Sequence, residues 1–199
     1  MELQRALSDL AEVRERLAHL QRFEGYSGAA AAASGFGALV AASVQRKLAP
    51  VPQTAEALRT YLAIWLGCLV VALILNYGAA ALWLLKHRAP GERSRFRTAA
   101  ISIAPSVVLG GALSLALVDH GAFASLPGTW FAFYAIGLFA SRGAIPSSTM
   151  GITVGFGVLG LIFLITPLAA AALSWWVMPI GFGAGQLGIG YLIWRERSA

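Results

Sequence analysis

Charge is missing from most of this chain. Between Arg142 and Arg195 run 52 residues, Gly143 to Trp194, without a single Asp, Glu, Lys or Arg. A helix in a soluble core needs no such run, whereas about 20 apolar residues cross the hydrocarbon of a bilayer. Charged residues are 12% of the 199, half the usual share of about 25%. A soluble globular domain is thereby excluded.

Groups that carry chemistry are scarce as well. The one cysteine, Cys68, lies inside an apolar run, so no intramolecular disulfide can form and the redox compartment is not encoded. The three histidines, His19, His87 and His120, show no metal spacing. A bis-histidine haem needs ligands on two helices at one depth, and His87 and His120 fall at opposite ends of their spans. Mid-membrane acids or bases, which pumps and proton-coupled transporters use, are lacking. No nucleophile, base and orienting group can be assembled. The expectation is no cofactor, no metal and, more on balance than by exclusion, no enzyme. A cleavable leader is not expected either, because the first 24 residues carry charge and the first apolar run begins at Gly25. The first span would act as its own insertion signal.

What is present is a set of apolar runs bounded by basic residues. Cutting at the charges, and splitting the last run at Ala172 to Trp175 where Ser174, Trp175 and Trp176 mark an interface, predicts six spans. Their approximate bounds are 25–45, 60–85, 98–118, 122–141, 148–171 and 175–194. The positive-inside rule supports the count. Arg5, Arg14, Arg16, Arg22, Lys86, Arg88, Arg93, Arg95, Arg97, Arg142, Arg195 and Arg197 fall on one side, against Arg46, Lys47 and Arg59 on the other. The net charge of +6 is thus read as orientation and not as affinity for nucleic acid. The weak member is the fourth span: Pro127 and Gly128 leave only Thr129 to Ser141 as a clean run, and a re-entrant fourth segment would even out the charge bias.

Residues 1–22 differ in kind. Leu3, Leu7, Leu10 and Leu17 recur at helical spacing with Val13 and Leu20, and Arg, Glu, Asp and Gln fill the other face. This amphipathic helix is the candidate interaction face. Its burial partner is open among the headgroups, the protein's own spans, and a second chain or another membrane protein. Between spans two and three, Lys86, Arg88, Arg93, Arg95 and Arg97 form a candidate headgroup-binding loop.

Small residues recur at four-residue and seven-residue spacings, and Gly28, Gly35, Gly151, Gly155, Gly181 and Gly185 are read as helix-packing positions, within the bundle or across a homodimer. Pro105, Pro167 and Pro179 can kink their spans. Among intramembrane polar residues, Asn76, Ser106, Tyr134 and Gln186 are the candidates for a polar cavity, with interhelical glue as the plainer role. Asp119 and His120 form a polar spot at the outer rim.

Thr153, Val154, Gly155, Phe156 and Gly157 resemble, over five residues, the selectivity filter of potassium channels, whose carbonyls replace the ion's hydration shell. The resemblance implies a pore loop. In that family an acidic residue and a polar turn follow the filter, whereas here Val158 to Ile165 continue the apolar run. The sequence as a whole predicts an all-α polytopic bundle of six spans over 25–197 in a bacterial-type inner (cytoplasmic) membrane, both termini cytoplasmic, preceded by an amphipathic helix over 1–24. Its expected role is that of a non-enzymatic accessory, regulatory or scaffold component. A facilitator of a neutral or lipophilic solute stands second and a surface-acting lipid enzyme third.

Overall fold

A computed structural model describes residues 23–87, 91–165 and 171–198, and every described regular element is helical. The helices are α1 (Gly28–Leu48), α2 (Ala55–Lys86), α3 (Glu92–Asp119), α4 (Leu126–Ala140), α5 (Met150–Ile165) and α6 (Ala184–Ser198). Short 3-10 turns, Phe123–Ser125 and Ser147–Thr149, lead into α4 and α5. Five segments, Gly28–Leu48, Ala55–Lys86, Glu92–Asp119, Phe123–Ala140 and Ser147–Ile165, are long and apolar enough to cross a bilayer. The amphipathic leader with Leu3, Leu7, Leu10 and Leu17 lies outside the described residues, as does Arg88.

Local chemistry explains the boundaries. The hydroxyls of Ser27 and Thr54 accept from the backbone N–H of Ala30 and Ala57, capping α1 and α2. Gly91, at φ 88°, turns the chain into α3 in a conformation that a side chain would disfavour. Both α2 and α3 start earlier than the apolar pattern alone predicts, because polar first turns continue the same helices. Pro127 does not break the fourth span: it stands in the first turn of α4, where its missing N–H has no helical partner to lose. With the 3-10 turn before it, the segment reaches 18 residues, about 27 Å at 1.5 Å per residue. In the last segment Pro179 cannot donate to the preceding turn, and the backbone widens into a π turn over Pro179–Gly183 before α6 continues. Helical backbone thus runs unbroken from 177 to 198.

Neighbours in space follow from the pairs in contact. The α1 helix runs antiparallel to α2, with Ser34 opposite Asn76 and Gln45 opposite Trp65. It also runs antiparallel to α6, with Gly28 against Gly190 and Gly35 against Gly183. Likewise α4 opposes α5 through Gly128 and Gly160, and α3 through Trp130 and Ser114. The π turn joins the two groups: Phe182 lies among Phe131, Tyr134 and Phe156, with ring centroids 5.2 to 5.3 Å apart. Helices α2 and α3, though consecutive, barely touch. Each packs on a single inner helix and turns long apolar faces outward, Val70, Val71 and Ile74 on one and Val107, Val108 and Leu109 on the other.

Ends of the bundle are held differently. At the basic end Arg197 donates to the carbonyls of Glu24 and Tyr26, Ser148 donates to Glu196 at 2.6 Å, and the Phe23 N–H reaches the Ala144 carbonyl at 3.4 Å. The start of α1 and the end of α6 therefore share one end with Lys86 and Arg142. At the other end Gln45, fully buried, donates to the Leu173 carbonyl and accepts from the Trp65 indole, both at 2.8 Å. The Trp175 N–H bonds the Pro50 carbonyl at 3.1 Å, and the Arg46 guanidinium lies 4.9 Å from the Trp175 ring.

Candidate functional site

The four polar-cavity candidates do not converge on one space. Asn76 donates to the Ser34 hydroxyl at 2.7 Å and to the Ala72 carbonyl at 2.9 Å, which ties α2 to α1. Gln186 donates through Nε2 to the Tyr134 hydroxyl, tying α6 to α4. Ser106 is buried where α3 crosses α4, so close to Gly137 that a methyl group there would stand 3.3 Å from its oxygen. Only Tyr134 and Gln186 are brought together.

Apart from that pair the structure links two residues that the sequence pattern did not single out as a site, Tyr26 ahead of α1 and Tyr77 of α2. An aromatic chain makes the connection: Tyr26 meets Phe23 edge to face at 5.4 Å, Phe23 meets Phe96 at 5.3 Å, and Phe96 meets Tyr77 edge to face at 6.1 Å. Tyr134 in turn has Phe156 at 4.7 Å and Phe182 at 5.2 Å, both edge to face. Tyr77, Tyr134 and Gln186 precede Lys86, Arg142 and Arg195 by nine, eight and nine residues, so all three lie about 12 to 14 Å below the basic end. That common depth was readable from sequence; that Tyr134 and Gln186 pair at it was not.

The predicted packing glycines divide into two kinds. A methyl group on Gly28 would meet the Gly190 carbonyl oxygen at 2.7 Å, and one on Gly35 would meet the Gly183 carbonyl and the Leu187 N–H at 2.9 Å. Gly181 and Gly185 lie under the rings of Phe131 and Phe156. Gly151 and Gly155 face away from the bundle with nothing within 4 Å. Gly128, Gly160 and Gly190, absent from the predicted set, make equally close backbone approaches. Their signal was visible only pairwise, since a glycine marks a contact when its partner helix is known.

Thr153 to Gly157, the filter-like segment, lie within α5, where the Thr153 hydroxyl donates to the Thr149 carbonyl at 3.2 Å. Carbonyls engaged in a helix are not displayed to an ion, so this segment forms no pore loop. At the basic end Lys86, Arg93 and Arg97 are exposed, while Arg95 is paired with the buried Glu92 carboxylate at the start of α3. That helix N-terminus itself favours the negative charge. At the opposite end Asp119 and His120 are exposed, and His120 Nδ1 lies 2.8 Å from the Ala116 carbonyl. Near them a mainly apolar groove of about 290 Å³ runs between the start of α2 and the end of α3, lined by Leu58, Leu62, Val118 and Phe123. Among the described residues no group of three His, Cys, Asp or Glu side chains stands close enough to hold a metal ion.

Long apolar helices, outward apolar faces and glycine-mediated backbone contacts define a helical membrane protein. Comparison of the chain with protein-family models, with curated proteins and with solved structures gives no match.

Proposed function

We propose that this chain is a non-enzymatic accessory or scaffold component of a bacterial-type inner membrane, with six spans, both termini cytoplasmic, and its contacts made through the outward helix faces and the N-terminal leader. The observation that carries this reading is the use of the polar groups. Asn76 and Gln186, the two costliest to bury unpaired, are engaged in ties between helices. The α1–α6 and α4–α5 pairs are drawn together to backbone contact. Such a bundle is built to hold shape, and α2 and α3 offer long surfaces outside it. The six-span count draws support from the alternating directions of neighbouring helices. The cytoplasmic placement of the termini draws support from the basic residues that share their end of the bundle.

Two experiments test this. A fluorescent reporter joined after Ala199 is expected to glow in the cytoplasm, and a reporter active only outside would overturn the topology. Purification of the full chain and of a chain lacking residues 1–22, in nanodiscs, should show a changed oligomeric state or lost partner for the shorter chain. Identical behaviour of the two would sink the assigned role of the leader.

A second reading, a facilitator of a neutral or lipophilic solute, is favoured by the partial accessibility of Tyr134 and Gln186 despite their place between α4 and α6. It predicts that Gln186→Leu abolishes uptake while folded protein persists.

A further inference from the structure

We propose that the groove between the start of α2 and the end of α3 holds one phospholipid with a zwitterionic head, a phosphate joined to a primary ammonium, as in phosphatidylethanolamine. The argument starts from the shape of the seam between these helices. Leu58 and Leu62 of α2 stand across an open space of about 290 Å³ from Val118 of α3 and from Phe123. Along the rest of their length the two helices barely touch. Leu66 and Leu69 follow Leu62 at helical spacing, Leu115 precedes Val118 in the same way, and all three are exposed. Trp130 of α4 closes the back of the seam: its ring stacks on Tyr61 of α2 at 6.2 Å, and its indole N–H donates to Ser114 of α3 at 2.8 Å. Two apolar walls with a closed back and an open side toward lipid make a trough for an acyl chain.

Charges at the mouth of the groove select the head. Arg59 lines it, and so does Ala55, one helical turn earlier on the same face. The Thr54 hydroxyl takes up the Ala57 N–H, while the N–H groups of Ala55 and Glu56 start the helix without helical partners. Glu56 and Arg59 have the spacing of a helical ion pair, yet Arg59 carries no ion pair among the described residues. A free guanidinium next to open backbone N–H groups matches a phosphate diester. Acids stand at the same mouth: Glu56 in the first turn of α2, and Asp119, which follows Val118 at the end of α3, both exposed. A purely anionic head would meet them as like charges, whereas a head that adds an ammonium to its phosphate complements both signs. The carbonyl end of α3 favours that cation as well. A primary ammonium donates hydrogen bonds to carboxylates, which a quaternary one, having no N–H, cannot do.

The test measures lipid retention by the full chain, stripped of lipid in mild detergent and titrated separately with dioleoyl phosphatidylethanolamine, phosphatidylcholine and phosphatidylglycerol. Native mass spectrometry counts the molecules that stay bound. The parent is expected to retain one ethanolamine lipid more tightly than either of the others. Arg59→Gln should weaken retention of the ethanolamine and choline lipids alike, by about tenfold, the loss of one charge-assisted contact. The double variant Glu56→Gln, Asp119→Asn should hold these two lipids equally, its selectivity gone. Val118→Phe fills the groove from the α3 side without altering a charge and should abolish the first retained lipid, which keeps the test decisive if Arg59→Gln fails to fold. Lys47→Gln, exposed at the same end of the bundle and outside the groove, should bind as the parent does. Equal retention of the three lipids by the parent, tighter retention of phosphatidylglycerol, or a loss in Lys47→Gln as large as that in Arg59→Gln would overturn the proposal.

Discussion

Replacing Gln45 with leucine should loosen the whole end of the bundle that lies away from Lys86 and Arg142. The Gln45 carboxamide is fully buried and bridges three segments, donating to the Leu173 carbonyl and accepting from the Trp65 indole N–H. Leucine fills nearly the same volume, so the cavity term is small and the cost is that of two polar groups stranded without partners. In soluble proteins each stranded group costs about 1 to 3 kcal/mol. Interhelical hydrogen bonds in membranes average nearer 0.6 kcal/mol, with a maximum of about 1.7. Two such bonds therefore place the loss at about 1 to 3 kcal/mol. Unfolding in mixed micelles, with the denaturing detergent raised stepwise and helix content followed by circular dichroism, measures it. Trp65→Phe should cost less, because only the Gln45 oxygen loses its partner. The double variant should be little worse than Gln45→Leu alone, since both remove the same bond. Strict additivity of the two, or a Gln45→Leu protein as stable as the parent, would refute the reasoning.

Glycine substitutions should separate by contact and not by sequence motif. Gly35→Ala is expected to cost about 1 to 3 kcal/mol in the same titration, because its methyl would press on α6 backbone that cannot swing aside. Gly155→Ala should be neutral or slightly stabilising, by up to about 1 kcal/mol, since its surroundings are open and alanine is the better helix former; a loss there comparable to that at Gly35 would show that this face is covered by another chain. Arg197→Ala removes the ties to the Glu24 and Tyr26 carbonyls at an exposed end, so stability should fall by less than about 1 kcal/mol. Limited proteolysis between residues 22 and 27 should nevertheless accelerate, and unchanged cleavage would show that the latch does not hold that segment.

Much of the fold was legible because lipid imposes a length and a charge pattern. The runs between basic residues located the five long apolar helices. Sequence is ambiguous where one residue type has two meanings. Proline in mid-helix breaks the ladder, yet Pro127 stands in a first turn, where it begins one. Thr153 to Gly157 carried the letters of a filter, but letters do not say whether carbonyls are turned inward along a helix or outward to an ion.

The candidate site was half legible for a deeper reason. Asn76 and Gln186 could be marked as needing partners from burial cost alone, but the identity of the partner is a property of helix packing. Asn76 and Tyr77 are adjacent in sequence and serve different neighbours: one hydrogen-bonds across to α1, the other meets Phe96 of α3. Adjacent residues on a helix point about 100° apart, so a single polar pair both fastens α2 to its inner neighbour and furnishes the seam with α3.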